Sequence, residues 1–141
     1  MNPAVPFYPL GEWSERFPWI LAGITHKGSA ADPFDLRLED QKSGDRLERI
    51  WQSTGFRGLV RIPQVHGTDL AVYDSDLAGF VASKDSADGH ATSRPGMLLA
   101  ITVADCVPVY LLDSKNRAVM LLHAGWRGVA SGIINKGMKL F

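Results

Sequence analysis

The spacing of hydrophobic positions along this chain changes near residue 56. Before it, apolar residues at positions 47, 50 and 51 lie on one face of a helix, so we predict a helix over residues 45–54 that ends at Gly55. Beyond it come short continuous apolar runs, which are typical of strands covered on both faces. The predicted strands are residues 58–62, 70–73, 97–103, 107–112 and 118–122, with an earlier β-compatible run at 19–25.

The segments between these runs are predicted to be less regular. Several prolines predict an irregular arm over residues 1–17, and residues 28–33 are predicted to form a loop. Residues 74–95 are polar and are predicted to be rich in loops. His26 and His90 lie in such polar stretches, and we expect both imidazoles to be solvated.

The end of the chain is predicted to be helical over residues 128–141, although Gly132 and Gly137 weaken that prediction by roughly 1 kcal/mol each relative to alanine. The last three predicted strands lie between residues 97 and 122, and the sequence stops inside the first helix that follows them. Such a sheet needs more cover than 141 residues supply. We expect a single α/β domain over residues 1–141 that is truncated at its C-terminus or completed by a partner subunit.

Composition limits the class of protein further. A hydrophobic content of 45% and a charged content of 21% are globular and exclude wholesale disorder. Fifteen basic and fifteen acidic residues cancel, which argues against nucleic-acid binding through broad electrostatics. No apolar run approaches the roughly 18 residues that span a bilayer, and the N-terminus lacks the pattern of a signal peptide. One cysteine excludes an intramolecular disulfide and fits a reducing compartment, so we expect a cytoplasmic protein without membrane or nucleic-acid partners.

Candidate chemistry concentrates at three turns that follow or precede predicted strands, where His66, Cys106 and His123 lie. Imidazole and thiolate are good ligands for Zn²⁺, and three protein ligands leave a fourth position for water or substrate. The spacing is unlike that of a zinc finger, so only the fold could bring the three together. The competing interpretation is that Cys106 is a small buried hydrophobe and that each histidine is a turn residue.

The neighbouring residues suit a ligand site. Trp126 offers a stacking face, and Arg127 offers a fork that binds an anion such as phosphate. Asp105 is a candidate acid or base, or a partner that orients a ligand histidine. The alternatives are that Trp126 packs in the core, that Arg127 pairs with a carboxylate, and that Asp105 caps a turn. Glycines that would let the backbone approach a ligand closely stand at Gly67, Gly125 and Gly128.

Three other functions remain open from the residues alone. Cys106 and His123 are also the pattern of a nucleophile and its base in a metal-free cysteine hydrolase. The second is a copper oxidase, which needs several coppers and many histidine ligands, whereas this chain has only four histidines. The third alternative is a non-enzymatic metal-binding or scaffolding protein.

Three stretches carry a resemblance to a known family. Residues 64–67 read Gln-Val-His-Gly, residues 102–109 read Thr-Val-Ala-Asp-Cys-Val-Pro-Val, and residues 123–128 read His-Ala-Gly-Trp-Arg-Gly. Together they resemble the signature motifs of the YfiH and laccase domain-containing 1 family, members of which have been called multicopper polyphenol oxidase, peptidoglycan editing factor and purine nucleoside phosphorylase. Ala87-Asp88-Gly89 with Thr92 resembles a further family stretch.

The resemblance implies a site, a fold and an activity. The family's metal ligands fall on His66, Cys106 and His123, and the metal implied is zinc, with copper an older proposal. It implies phosphorolysis of adenosine, inosine, guanosine and methylthioadenosine, and deamination of adenosine. For that chemistry our candidate catalytic residues are Cys106, His123 and Asp105. The alternatives to this phosphorylase function are a copper polyphenol oxidoreductase, a hydrolase that edits peptidoglycan precursors, and an inactive metal-binding fragment that lacks the family's C-terminal third. The fold implied has stacked mixed β-sheets flanked by helices, similar to the catalytic domain of cytotoxic necrotizing factor. The sequence leaves open whether the protein is a monomer or a homodimer.

Overall fold

The computed structural model describes residues 5–37 and 40–141, and its elements fall into two units that divide between Thr54 and Gly55. The first unit holds two short strands and two helices: β1 (Phe7–Pro9), α1 (Gly11–Arg16), β2 (Gly23–Thr25) and α2 (Ser43–Thr54). Strands β1 and β2 pair antiparallel. Among the described residues, none of the helices in either unit is long and apolar enough to cross a bilayer.

The first unit confirms the predicted helix and corrects the predicted arm. Helix α2 buries Leu47 and Ile50, and Gly55 follows it with a φ of 70°, as a glycine that ends a helix does. The irregular arm is wrong over the described residues, because β1 and α1 lie within it. Pro9 is the last residue of β1, where a missing N–H is tolerated. Residues 1–4 of that arm lie outside the described residues.

The second unit contains two sheets built from seven described strands. One is parallel, in the order β5-β3-β7, and the other is mixed, in the order β4-β6-β9-β8. Strand β7 of the first sheet contacts β6 and β9 of the second. The predicted α/β fold with several sheets is confirmed, but of these two sheets only the second is mixed. The strands are β3 (Gly58–Arg61), β4 (Leu70–Tyr73), β5 (Gly79–Ala82), β6 (Gly89–Thr92), β7 (Met97–Ala100), β8 (Val107–Asp113) and β9 (Ala118–Ala124).

Two short helices replace the single helix predicted for the end of the chain. They are α3 (Trp126–Ala130) and α4 (Ile133–Leu140). The break is at Gly132, whose φ of 87° lies in the left-handed region that favours glycine. Helix α4 packs on β9, where Ile133 joins Met120 and Leu122 in the core. A side chain at Gly137 would begin 3.0 Å from the Met120 sulfur, so the glycine lets the helix approach the sheet.

Residues 74–95 are rich in loops as predicted, but they also contain β5 and β6, which were not predicted. One prediction in this segment is wrong, because His90 is not solvated: it lies in β6 with 0% of its surface exposed. A short strand among polar residues, such as β6, is buried by a strand that is distant in sequence. His26, in contrast, is exposed as predicted.

Candidate metal centre

The three predicted ligands lie on three different segments of the second unit. His66 lies in the turn between β3 and β4, Cys106 directly precedes β8, and His123 is the next-to-last residue of β9. Strands β8 and β9 are antiparallel neighbours with Pro108 opposite His123, so the start of β8 lies beside the end of β9. This register brings Cys106 next to His123 across seventeen residues of sequence.

The ligand atoms of His66, Cys106 and His123 converge. Each residue offers one donor atom that lies within 4.8 Å of the other two. The two imidazole rings meet edge to face, with centroids 4.8 Å apart and planes at 74°. Bonds of about 2.0–2.3 Å to a tetrahedral Zn²⁺ would place such donors roughly 3.5 Å apart, so small side-chain rotations are enough to close the set. The donor chemistry and the spacing therefore fit a zinc ion.

The cluster has a buried side and an open side. His123 is 4% exposed, Cys106 is half-buried, and His66 is exposed. Access to the cluster is thus from the side of His66, which is the arrangement that a site with a position free for substrate requires.

Asp88 joins two of the three ligands from the buried side. It is 0% exposed, and its Oδ1 lies 2.8 Å from Nδ1 of His123 and accepts a 2.8 Å hydrogen bond from the backbone N–H of His66. Its Oδ2 accepts hydrogen bonds from the backbone N–H groups of Gly67, at 2.7 Å, and of Val65, at 3.2 Å. Because an ionised carboxylate only accepts, Nδ1 of His123 carries the proton, and Nε2 is left for a metal.

Two opposed effects act on the pKa of Asp88. Burial of the carboxyl raises it, whereas the hydrogen bonds from His123 and from the amides of Gly67, Val65 and His66 lower it. The hydrogen bonds prevail, and the pKa lies below the ordinary value of an aspartate. The group is consequently a buried anion beside the cluster.

Gln64 joins the turn of His66 to the segment that leads to Cys106. Its side-chain amide donates to the carbonyl of Thr102 at 2.7 Å and accepts from the N–H of Thr102 at 2.8 Å. The hydroxyl of Thr102 makes a third contact with the same oxygen, at 3.1 Å. The side chain thus pairs with a backbone peptide as a neighbouring strand would.

The glycines of the site permit close approach between these segments. A Cβ atom at Gly125 would lie 2.9 Å from Cδ2 of His66 and 3.1 Å from Sγ of Cys106. A Cβ atom at Gly128 would lie 2.8 Å from the carbonyl oxygen of Gly67. Ordinary side chains do not fit such gaps, so these two positions require glycine for packing around the ligands.

The remaining predicted site residues lie at the surface beside the cluster. Trp126 directly follows Gly125 and is 75% exposed, which excludes the interpretation that it packs in the core. The guanidinium carbon of Arg127 lies 5.2 Å from the centroid of the Trp126 ring, and Arg127 is itself exposed. Asp105 is exposed next to Cys106. Within the described ranges, the carboxylate that orients His123 is Asp88 rather than Asp105.

Sequence reasoning assigned no role to Asp88 or Gln64. Both lie in stretches that carry the family resemblance, but the sequence does not show what their side chains contact. A polar residue among small residues at the start of a strand is a weak signal on its own. Only the pairing of β6 with β9 shows that Asp88 lies opposite His123, with its carbonyl accepting the His123 N–H at 2.7 Å.

A second buried histidine lies on the same face of the mixed sheet. His90 pairs across the sheet with Leu121, two residues from His123, so the two imidazoles point to the same side. Neither ring nitrogen of His90 has a hydrogen-bond partner in the part of the chain that the structure describes, and the nearby Tyr73 hydroxyl lacks one as well. Burial lowers the pKa of His90 to about 3.

The comparisons with known proteins agree with this fold. Residues 37–141 match the family described as "Multi-copper polyphenol oxidoreductase laccase". The purine nucleoside phosphorylase YlmD of Geobacillus stearothermophilus is 35% identical over 133 residues, which cover 83% of this chain and 48% of that protein.

Two solved structures are similar in fold. The crystal structure of YlmD from Geobacillus stearothermophilus matches with a TM-score of 0.70 at 30% identity, over 85% of this chain and 50% of that one. The crystal structure of the Bacillus licheniformis hypothetical protein YfiH matches with a TM-score of 0.79 at 23% identity, over 99% of this chain and 57% of that one. The chain thus spans about half the length of the relatives it matches, as the 48% coverage of YlmD illustrates.

Proposed function

This chain belongs to the multi-copper polyphenol oxidoreductase laccase family, and from that membership we propose that it binds one Zn²⁺ ion and forms part of a purine nucleoside phosphorylase. The observation that carries the proposal is the convergence of His66, Cys106 and His123 on one partly open point. The name of the relative YlmD supplies the reaction class, since it is called a purine nucleoside phosphorylase.

Zinc suits this donor set better than copper. One thiolate and two imidazoles form a common zinc environment, whereas laccase chemistry needs several coppers held by many histidines. The whole sequence has four histidines, and of these His26 is exposed and His90 is buried in β6. We therefore expect the family's oxidase name not to describe the chemistry of this chain.

The reaction we propose is attack of a phosphate oxygen on C1′ of the ribose, with cleavage of the bond to the purine nitrogen. When bound, Zn²⁺ would supply Lewis acidity that stabilises negative charge on an oxygen or nitrogen atom of the reactants. Arg127 would hold the phosphate through its guanidinium, and the exposed ring of Trp126 would stack on the purine. Asp105 is the group we propose to hold or transfer the proton that the departing purine takes up.

We extend the proposal to substrate range and place. Adenosine, inosine, guanosine and methylthioadenosine share the purine face that Trp126 could stack on, and deamination of adenosine would use the same zinc site. A thiolate ligand favours a reducing compartment, so we propose a cytoplasmic location.

One observation favours a second candidate function. Asp88, His123 and Cys106 form a chain in which a carboxylate orients an imidazole beside a thiol, as in the triads of cysteine hydrolases. In this alternative the thiol of Cys106 is the nucleophile and no metal takes part.

Metal analysis combined with a nucleoside assay separates the two. We expect one zinc per chain by elemental analysis, and release of hypoxanthine from inosine that requires both phosphate and the metal. Cys106→Ala should lose the zinc, and Asp113→Asn, at the far end of β8, should retain it. A metal-free protein that hydrolyses substrates and is inactivated by stoichiometric iodoacetamide would contradict the proposal in favour of the thiol hydrolase. Zinc binding without release of any base would leave this chain as a metal-binding portion only.

A further inference from the structure

We propose that Asp88 and Gln64 are positioning residues that set the metal ligands in place before the ion binds. The inference rests on the proposed function in one respect, that His66, Cys106 and His123 hold a metal. It concerns two side chains that do not ligate the ion but hold its ligands in the positions that binding requires.

Asp88 fixes two ligands at once. Through Oδ1 it holds the ring of His123 by Nδ1, and it holds the backbone of His66 with the same oxygen, both at 2.8 Å. The ring of a metal-binding histidine is oriented by the partner of its other nitrogen, so this contact determines which nitrogen of His123 faces the cluster. Both contacts are fully buried at Asp88 and are therefore shielded from competition by water.

The backbone at His66 explains why such a clamp is needed. His66 has a φ of 60°, in the left-handed region that a non-glycine residue rarely adopts. Such a conformation persists only where the surroundings enforce it. The three successive N–H groups of Val65, His66 and Gly67 all donate to Asp88, and these bonds hold the turn in that conformation.

Gln64 fixes the third ligand relative to the first. Gln64 lies two residues before His66, and Thr102 lies four residues before Cys106. The side-chain amide of Gln64 pairs with both the N–H and the carbonyl of Thr102. Asp88 thus connects His66 to His123, and Gln64 connects His66 to the Cys106 segment. Together the two side chains link all three ligand-bearing segments.

An ordinary turn cap is the structural alternative, and the chain offers a matched example. Asp113 caps the turn after β8 by accepting hydrogen bonds from the backbone N–H groups of Lys115 and Asn116, both at 2.9 Å. It has the same chemistry as Asp88 but contacts no ligand. A role limited to stability would make the two aspartates equivalent in their effect on metal binding.

The test measures the affinity for Zn²⁺ alone, by competition with a chromophoric chelator, together with the unfolding of the metal-free protein. Asp88→Asn places an NH₂ group against either the His66 and His123 donors or the Val65 and Gly67 amides, so one pair of contacts is lost in either orientation. We expect the affinity to fall by about 10- to 100-fold, the usual effect of removing such a partner. Gln64→Ala should lower it by about 10-fold.

The matched controls are Asp113→Asn for Asp88→Asn and Gln52→Ala for Gln64→Ala. Gln52 is exposed on α2, and its side-chain amide donates to Glu48 at 3.1 Å rather than to a segment that carries a ligand. Both controls should leave the Zn²⁺ affinity unchanged, even where Asp113→Asn lowers the stability. Site variants that bind Zn²⁺ as tightly as the unchanged protein would overturn the inference.

A readout in the metal-free protein keeps the inference testable if Asp88→Asn fails to fold. Nuclear magnetic resonance of the unchanged chain should show the proton of His123 on Nδ1 and slow exchange of the His66 and Gly67 amides. A proton on Nε2, or amides that exchange as fast as those of an open turn, would contradict preorganisation. An unchanged protein that binds no Zn²⁺ would instead overturn the proposed function, and this inference with it.

Discussion

His123 and His90 lie on the same face of the mixed sheet, and both are buried, but their surroundings are opposite. His123 has a carboxylate partner at 2.8 Å on Nδ1, and its ring belongs to a cluster with the donor atoms of His66 and Cys106. His90 has no hydrogen-bond partner on either nitrogen among the described residues. Burial alone therefore does not mark a functional histidine, and the polar atoms around the ring distinguish the two.

The comparison also separates two positions of β9, one at its end and one in its middle. Near its end, at His123, the face of the sheet meets turns that supply polar groups from distant segments. At Leu121 the same face meets His90, whose ring nitrogens and the nearby Tyr73 hydroxyl have no hydrogen-bond partner among the described residues. The candidate chemistry is confined to the end where turns converge.

The largest expected difference is between the zinc contents of variants that lack His123 and variants that lack His90. His123→Ala should abolish stoichiometric zinc binding, because only two donors remain and three are the usual minimum for an open site. His90→Leu should leave one zinc per chain. Elemental analysis after dialysis checks both. Equal zinc content in the two variants would contradict the proposal that His123 is a zinc ligand and His90 is not.

The next effect concerns stability and pH at His90. Its pKa in the folded protein is about 3, against an ordinary value of 6.5. Below pH 6.5 the His90 imidazole is protonated in the unfolded chain but stays neutral in the folded chain. The free energy of unfolding therefore falls as the pH falls toward 3. From pH 8 to pH 5 this group should cost about 2 kcal/mol of unfolding free energy.

His90→Leu should remove that component, while the exposed His26→Gln should not. Denaturant unfolding at pH 8 and pH 5 measures the difference between each variant and the unchanged protein. A variant that loses as much stability on acidification as the unchanged protein would show that His90 is charged or hydrogen-bonded in the fold.

A smaller effect is expected at Gly125. In Gly125→Ala the new methyl group would begin 2.9 Å from His66 and 3.1 Å from the Cys106 sulfur, so one ligand must shift. We expect a loss of zinc affinity of about 10-fold, similar to that for a displaced ligand partner. Gly44→Ala is the control, since a Cβ there meets nothing within 4 Å. Retention of full affinity in Gly125→Ala would show that the cluster tolerates the displacement.

The smallest effect on stability is expected at Trp126. Because this ring is 75% exposed, Trp126→Ala should change the free energy of unfolding by less than about 0.5 kcal/mol. Its nucleoside affinity should fall, whereas Trp126→Phe should retain most of it because a stacking face remains. Calorimetric titration with inosine measures this. A large loss of stability would assign the ring a packing role instead.

The family, the α/β fold and most strands could be predicted from the sequence, because short continuous apolar runs and three local motifs carry that information. It did not reveal β5 or β6, since four-residue strands among polar residues leave no periodic pattern. It also placed His90 in solvent and missed Asp88, for the same reason. Both residues are buried by β9, which begins almost thirty positions later and pairs with them only in the folded chain.

The four donors around Asp88 have a consequence for coordination. A carboxylate offers about four lone pairs, and here the amides of Val65, His66 and Gly67 and the ring of His123 occupy that number. Asp88 is saturated, so it has no lone pair left to ligate an ion or to shuttle a proton. An ion held by His66, Cys106 and His123 would therefore gain no further ligand from Asp88, and its remaining coordination position would lie on the open side of the cluster, where His66 is exposed.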